Sequence, residues 1–271
     1  MSDLTINLLA AAGVLFIGLS KAGFGGGLGM LTTPLCVLAF GAGGKPATFA
    51  IGTILPLLCA GDVFSLYHYW GKWEGRNLKY LLPGVVAGVF VGTQLIGRFS
   101  PRQMNFAIGL LAVLFVLFQW TKERIFRAEG TFAPNHTLGF PFGVGAGITS
   151  TFAHGAGPVV SMFLIPQQMP KEVYVGTTVL VFTWINWIKM PFFCIDRGMV
   201  DWPIFAPEAI ITRETLLMGL KFLPLVPLGV WLGVWLNRKF SEALFLKLVY
   251  LLTLLTGLQL ILNYDLARLL K

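Results

Sequence analysis

Charged side chains are scarce in this chain, since only 12% of its 271 residues are Asp, Glu, Lys or Arg. Hydrophobic residues make up 56% of the sequence. A soluble globule of this composition would have too little polar surface to face water. The shortage of charge therefore excludes a soluble domain and favours a protein that lies in a membrane.

Cysteine and histidine are also few, with three of each. Cys36, Cys59 and Cys194 are odd in number, lie in apolar runs and lack a Cys-x-x-Cys spacing, so we expect buried thiols rather than disulfides or metal ligands. The histidines show no metal-ligand spacing, and the chain has no Walker loop, no G-x-G-x-x-G motif and no nucleophile with an evident base. We therefore expect no enzyme activity, no metal and no cofactor.

Acidic residues are outnumbered by basic ones, 12 against 20, which gives a net charge of +8. The basic residues are scattered among the predicted loops instead of forming a patch, and this disfavours a nucleic acid partner. Anionic lipid headgroups and an anionic cargo are the simpler partners for such a distribution.

Long apolar runs are what the sequence has in abundance, and several reach the roughly 18–20 residues that cross a membrane as a helix. The first run has no basic leader before it, so we expect it to be retained as a transmembrane helix rather than cleaved. We predict ten apolar segments, five in each half of the chain: Leu4–Ser20, Leu28–Phe40, Ala47–Tyr67, Leu81–Phe99, Met104–Thr121, Leu138–Thr151, Pro158–Pro166, Val173–Phe193, Leu216–Leu236 and Leu244–Leu262.

The second half of the chain repeats the first. A set of turn and packing residues recurs at a constant offset, with Pro83, Gly88, Gly92, Phe99 and Ser100 returning as Pro224, Gly229, Gly233, Phe240 and Ser241. The predicted organisation is a first membrane repeat at 1–121, a polar linker at 122–136 and a second membrane repeat at 137–271. The recurring small-xxx-small pairs predict matched helix packing inside the protein, with a dimer face as the alternative.

An odd number of spans in each half would insert the second half with the opposite orientation, which is the inverted repeat of many secondary transporters. Leu28–Phe40 and Pro158–Pro166 are too short to span alone, so they are half-helices, re-entrant segments or spans lengthened by glycine-rich flanks. If they are re-entrant, four true spans remain in each half and we expect the inversion to be lost. The basic residues divide almost evenly between the two sides, which favours an external N-terminus only by a small margin.

A glycine cluster interrupts an apolar run near the start of each half, at Gly23–Gly29 and at Gly143–Gly157. When Ser20 is set on Ser150, Gly25 and Gly27 align with Gly155 and Gly157. Broken helices at equivalent places leave backbone N–H groups that can bind an anion, and they are the best sequence indication of a transporter site. Close helix packing by small residues, without a ligand, is the alternative.

Lys21 lies just before the first glycine cluster and His154 lies in the second. Asp62, Asn186 and Lys189 lie inside apolar runs, where an unpaired charge costs roughly 3 kcal/mol or more. Lys21, His154 and Lys189 are candidates to face an anion, although Lys189 could instead reach the headgroups. Asp62, which aligns with Asn186, could form an ion pair with a lysine or accept a proton during transport. His154 is a candidate proton carrier or a hydrogen-bonded packing residue.

In order and duplication, these motifs resemble the TauE/SafE family of sulfite and organosulfonate exporters over nearly the whole chain. The resemblance is carried by Gly18–Gly27 with Pro34-Leu35, by Tyr69–Trp73 leading to Pro83-Gly84 and Gly88-x-x-x-Gly92, by Asn186-x-x-Lys189-x-Pro191, and by Gly229-x-x-x-Gly233-Val234. The sequence departs from the family pattern at His154–Pro158, where a plainer glycine triplet is usual, and in the added stretch near Asp201. Both departures could indicate a different cargo.

The resemblance implies an all-α, multi-pass protein of the inner membrane, with about eight to ten transmembrane segments, that exports sulfite or a short organosulfonate. The expected substrate-binding residues are Lys21, Gly25, Gly26, Gly27, His154, Gly155, Gly157, Asn186 and Lys189, with Asp62 and His154 as candidates for proton coupling. Uptake of an organic anion such as a sulfonate or carboxylate, a membrane enzyme and a non-transporting scaffold are the alternatives. A homodimer is common among such proteins, but no residue in this chain indicates one.

Overall fold

A computed structural model describes residues 2–21, 29–127, 133–196, 208–239 and 242–262. The described chain is helical and contains no strand, which confirms the predicted all-α membrane class. Its helices are α1 Asp3–Lys21, α2 Gly29–Ala42, α3 Ala47–His68, α4 Arg76–Ile96, α5 Pro101–Arg127, α6 His136–Ala153, α7 Gly157–Leu164 (followed by a 3-10 turn at Ile165–Gln167), α8 Lys171–Cys194, α9 Arg213–Phe222, α10 Leu225–Lys239 and α11 Glu242–Leu262.

The outer surfaces of these helices are apolar. Within the described residues, five helical stretches are long and apolar enough to cross a membrane. Large hydrophobic side chains of α11 such as Leu248, Leu251 and Leu255 are about half exposed. Exposed leucines on successive turns would be a liability in water but are the expected surface of a helix in lipid.

The ninth predicted segment, Leu216–Leu236, differs from the structure because it is divided into α9 and α10. The break falls at Leu223 and Pro224. Proline lacks the backbone N–H that a continuous helix needs at this point. Its counterpart Pro83 lies inside α4 without ending it, and nothing in the structure explains why only one of the two interrupts its helix.

Two salt bridges mark opposite ends of the bundle. Lys45, just before α3, pairs with Glu214 in the first turn of α9 at 2.6 Å, and we call this end the Lys45 face. Lys72, just after α3, pairs with Glu172 in the first turn of α8 at 3.1 Å, and we call this end the Lys72 face. Helix α3 between them is about 33 Å long by its helical rise, which matches a hydrocarbon core of about 30 Å.

Contacts between helices show that equivalent helices of the two halves run in opposite directions. Helices α4 and α6 both start at the Lys72 face and run in parallel, since Tyr80 meets Gly139 and Gly92 meets Thr151. Helix α1 runs parallel to α9 and α10 from the Lys45 face, because Asn7 accepts a hydrogen bond from Lys221. Therefore α1, α3 and the α9–α10 pair oppose their respective counterparts α6, α8 and α4, as an inverted repeat requires.

The short helix α7 returns the chain to the face from which α6 entered. Gln167, directly after α7, donates to Asn77 in the first turn of α4 at the Lys72 face. Helices α6 and α7 thus form a hairpin, and α8 again starts from the Lys72 face. The inversion is therefore kept, because a hairpin leaves the chain on the same side whatever depth it reaches.

Helix pairs that join the two halves are packed through glycine. A Cβ on Gly84 or Gly88 of α4 would overlap the backbone carbonyl of Phe140 or Val144 in α6, and a Cβ on Gly18 of α1 would overlap the carbonyl of Val226 in α10. The prediction that Gly88, Gly92 and Gly229 serve internal packing is confirmed, since each faces a helix of the other half. Gly233 is described only as part of the backbone of α10, and its surroundings are not described. Each of the two tight pairs, α4 with α6 and α1 with α10, therefore combines one helix from each half.

Candidate functional site

A cavity of about 60 Å³ lies where the C-terminal ends of α1 and α6 meet. One water needs about 10–15 Å³ on this scale, so the cavity has room for a small oxyanion. Both halves of the chain line it, through Ile17, Ser20, Met30, Leu58 and Phe115 from the first and Ser150, His154, Gly155, Ala156, Gly157, Pro158, Phe182, Ile185 and Asn186 from the second. Ser20 and Ser150, which are equivalent in the repeat, both face the same space.

The break between α6 and α7 forms one wall of the cavity. His154 caps α6 with a left-handed backbone, at φ 51°, and the N–H groups of His154 and Gly155 donate to the carbonyls of Ser150 and Thr149. Glycine is the usual residue at such a position because it has no Cβ. His154 adopts this conformation with a full side chain, and its imidazole makes hydrogen-bond contacts with Ile51 and Lys189.

Lys189 is fully buried and donates to three acceptors on α6 and its cap. Its Nζ lies 2.8 Å from Ser150 Oγ, 3.3 Å from the Ser150 carbonyl oxygen and 2.8 Å from His154 Nδ1. These three bonds satisfy the three protons of the ammonium group. Lys189 does not line the cavity, so its charge reaches the space through Ser150 and His154 rather than by direct contact.

The hydrogen bonds of His154 define its tautomer. Nε2 lies 3.1 Å from the carbonyl oxygen of Ile51, which can only accept, so Nε2 carries the proton. Nδ1 then accepts from the ammonium group of Lys189. A second proton on the imidazole would face this ammonium group at 2.8 Å. His154 can therefore carry that proton only if the contact breaks or Lys189 gives up a proton of its own.

Asp62 and Asn186 are equivalent in the repeat, and the structure joins them directly. Asn186 Nδ2 donates to Asp62 Oδ2 at 2.6 Å, and both residues are buried. Because the two positions correspond, this bond lies where the pseudo-two-fold axis passes between α3 and α8. Asn186 lines the cavity, and Asp62, which does not line it, accepts the hydrogen bond from Asn186.

The start of α7 supplies backbone donors to the cavity. Among the described residues, none accepts a hydrogen bond from the N–H of Ala156 or Gly157, and both residues line the cavity. Pro158 follows in the first turn of α7, where a missing N–H costs nothing. The N–H of Gly155 is already used within the α6 cap. Of the predicted Gly155 and Gly157, only Gly157 therefore has a free N–H, and Ala156 supplies the other.

Part of the predicted site lies outside the described residues. Gly25, Gly26 and Gly27 belong to this part, and of Lys21 only the backbone, as the last residue of α1, is described. The added stretch near Asp201 also lies outside, although Ile210 and Ile211 beyond it donate to the carbonyl of Phe193. Within the described residues, no group of three His, Cys, Asp or Glu side chains could hold a metal ion.

Sequence reasoning missed two residues that shape the cavity. Ser150 was only a marker of the repeat, yet its Oγ accepts from Lys189 and so leaves its own proton free to donate. Thr33 of α2 donates to the carbonyl of Ala153 at 2.8 Å and ties the end of α6 to the first half. The sequence could have indicated Ser150, because Ser20 and Ser150 are equivalent in the repeat and each lies next to a glycine cluster.

The sequence pattern of one known family matches almost the whole chain. The family described as sulfite exporter TauE/SafE matches residues 9–260, which cover most of both repeats and every described residue of the cavity. The chain belongs to the TauE/SafE family. No curated protein and no solved structure matches the chain.

Membership defines the class of this TauE/SafE protein. It is a multi-pass membrane protein of a transporter family whose substrates are small anions, in agreement with the predicted class. The cavity of this TauE/SafE protein lies between the two repeats, as is usual for transporters built from inverted repeats.

Proposed function

We propose that this protein exports sulfite or a short organosulfonate from the cytoplasm across the inner membrane. The observation that supports this most strongly is the cavity shared by the two halves, with unpaired N–H groups of Ala156 and Gly157 on one wall. A helix N-terminus carries a partial positive charge and free donors, which together favour an oxyanion.

Three kinds of group would hold the anion. The N–H groups at the start of α7 donate directly, the hydroxyl of Ser150 donates from α6, and the buried charge of Lys189 acts through Ser150. The amide of Asn186 closes the opposite side and is oriented by Asp62. A sulfonate group has three oxygens in a pyramid and so can accept from several directions at once.

Export fits the energetics of an inside-negative membrane. Each negative charge that leaves the cytoplasm gains roughly 2.3 kcal/mol at 100 mV. A facilitated route therefore suffices for a monoanion, and proton coupling through Asp62 or His154 is an optional addition. The movement would alternate the access of the cavity between the Lys45 face and the Lys72 face.

Replacing Ser150 by alanine is expected to raise the sulfite concentration for half-maximal flux about tenfold, because a hydrogen bond to a charged group is lost. The measurement is sulfite flux into proteoliposomes, with methanesulfonate and lactate as competitors. Competition by methanesulfonate but not by lactate is expected for the parent protein.

Ser65→Ala is the matched control. Ser65 is also buried in a membrane helix, but its hydroxyl donates to the carbonyl of Gly61 in the same helix and does not line the cavity. Flux in this variant should equal that of the parent. Equal half-maximal concentrations in Ser150→Ala and Ser65→Ala would remove Ser150 from the binding site, and absence of any anion flux in the parent would refute the proposed function.

A further inference from the structure

A series of polar side chains follows α7 from the cavity toward the Lys72 face. Pro158 lines the cavity, and Ser161 lies one turn further along α7, with its Oγ 3.0 Å from the hydroxyl of Tyr174 on α8. Gln167 follows at the end of α7 and reaches Asn77 on α4. Polar groups within the membrane are costly unless they face each other or a route for a polar solute.

Asn77 is the unusual member of this series. It is fully buried, and its Oδ1 accepts from Nε2 of Gln167 at 2.9 Å. Among the described residues, none accepts a hydrogen bond from its Nδ2. A buried amide nitrogen without an acceptor destabilises the folded protein, so its retention needs another reason.

The orientation of the Asn77 amide is determined by its neighbour. Nε2 of Gln167 also donates to the carbonyl of Phe163 at 3.0 Å, which identifies this atom as the amide nitrogen. The atom of Asn77 that faces it must therefore be the oxygen. Both N–H bonds of Asn77 Nδ2 consequently remain available to an acceptor that is not part of the described chain.

The surface beyond Asn77 is basic. The described side chains in and just before the first turns of α4 and α8, at the Lys72 face, include four cations against two carboxylates, namely Lys72, Arg76, Lys79 and Lys171 with Glu74 and Glu172. A cationic rim raises the local concentration of anions. Both the rim and the free amide donors therefore suit the same class of solute, a small oxyanion.

We propose that Asn77 is a second binding point for the transported anion, on a route along α7 that joins the cavity to the Lys72 face. The hydrogen bond between Ser161 and Tyr174 closes this route next to the cavity. An anion that leaves the start of α7 would separate the two hydroxyls, accept from both, and then accept from Nδ2 of Asn77. This inference rests on the proposed function, since it concerns the path of the same anion.

The test measures the flux of radiolabelled sulfite in proteoliposomes that contain the parent protein or a variant of Asn77. Asn77→Ala should lower maximal flux about tenfold, because a donor to a charged solute is lost. Asn77→Asp, which preserves the volume and the acceptor for Gln167, should lower flux more than Asn77→Ala because its charge repels the anion. Asn77→Ser keeps a donor and should remain within about threefold of the parent.

This order separates a binding role from a structural one. A purely structural role would lower the yield of folded protein in Asn77→Ala and Asn77→Asp, since Asn77 is fully buried, but would leave the flux per folded molecule at the level of the parent. Asn135→Asp is the matched control, because Asn135 caps α6 at the exposed surface through an oxygen that Asp retains. Flux in Asn77→Ala equal to the parent, or flux in Asn77→Asp above that of Asn77→Ala, would overturn the inference.

A separate measurement tells this failure apart from failure of the proposed function. Methanesulfonate should protect a cysteine in the cavity, Ile17→Cys, from labelling by a maleimide. The methanesulfonate concentration that gives half-maximal protection should be the same whether or not the protein also carries Asn77→Ala. Protection and flux in the parent, together with unaffected Asn77 variants, would refute the second binding point alone. A parent with neither protection nor flux would refute the transport site itself.

Discussion

Lys189→Met is expected to lower sulfite flux about 100-fold. The ammonium group of Lys189 lies 2.8 Å from Ser150 Oγ, and an anion bound to Ser150 would lie roughly 6 Å from the charge. At an effective dielectric constant of about 20, that separation corresponds to roughly 3 kcal/mol, or about two orders of magnitude in rate or affinity. Flux in proteoliposomes measures the loss.

The fold should tolerate this substitution. Methionine nearly matches the volume of the lysine side chain. The loss of the donor to Ser150 and His154 costs roughly 1–3 kcal/mol, which is less than the stability of a typical folded protein. Lys45→Met is the control, since it removes a cation whose side chain is 42% exposed and whose salt bridge is at the surface. Normal flux in folded Lys189→Met would show that the buried charge plays no part in transport.

Gly84→Ala is expected to lower the melting temperature by about 5 °C, which corresponds to roughly 3 kcal/mol for a protein of this size. The added Cβ would overlap the carbonyl of Phe140, and the backbone of α6 on the other side cannot move away as a flexible side chain could. The prediction is measured by thermal unfolding of the purified protein in detergent.

Gly41→Ala provides the same chemical change where there is space. A Cβ at Gly41, near the end of α2, would meet no atom within 4 Å. Alanine is also the better helix former by about 0.5–1 kcal/mol, so the melting temperature should stay the same or rise slightly. Equal melting temperatures for the two variants would contradict the close packing of α4 on α6.

Much of the fold follows from the repeat in the sequence. The recurrence of Pro83 and Gly88 as Pro224 and Gly229 predicted two equivalent halves. The sequence also aligned Asp62 with Asn186, but it offered a lysine as the partner of Asp62 and did not predict the hydrogen bond between the two aligned residues. Hydrophobic run length predicted most helices because a membrane helix must satisfy its own backbone. These features are local, or depend on symmetry alone.

The contacts between helices could not be predicted in the same way. The bond of Lys189 to His154 depends on the angle at which α7 leaves α6, and that angle is defined by the left-handed His154 and by Thr33 of α2. The pairing of α4 with α6 rather than with another helix depends on glycines that match in three dimensions. Neither property has a period or a motif in the sequence.

The tight helix pairs between the two halves also indicate which helices are expected to move together. Each tight pair, α4 with α6 and α1 with α10, combines one helix from each half, so the halves of the sequence are not the units that separate. The cavity lies between these pairs and is lined by Ser20 of α1 and Ser150 of α6. Alternating access is therefore expected to occur by movement of the pairs relative to each other.

Protection of cavity cysteines by an anion tests the central claim most directly. Ile17→Cys and Phe182→Cys line the cavity from the first and the second half, whereas Tyr67→Cys is a control at a position that is 85% exposed. Methanesulfonate is the ligand, because sulfite itself would consume the maleimide reagent. The account predicts protection of both cavity cysteines with the same half-maximal concentration and no protection of Tyr67→Cys. Protection of neither cavity cysteine, in folded protein, would contradict an anion site between the two halves.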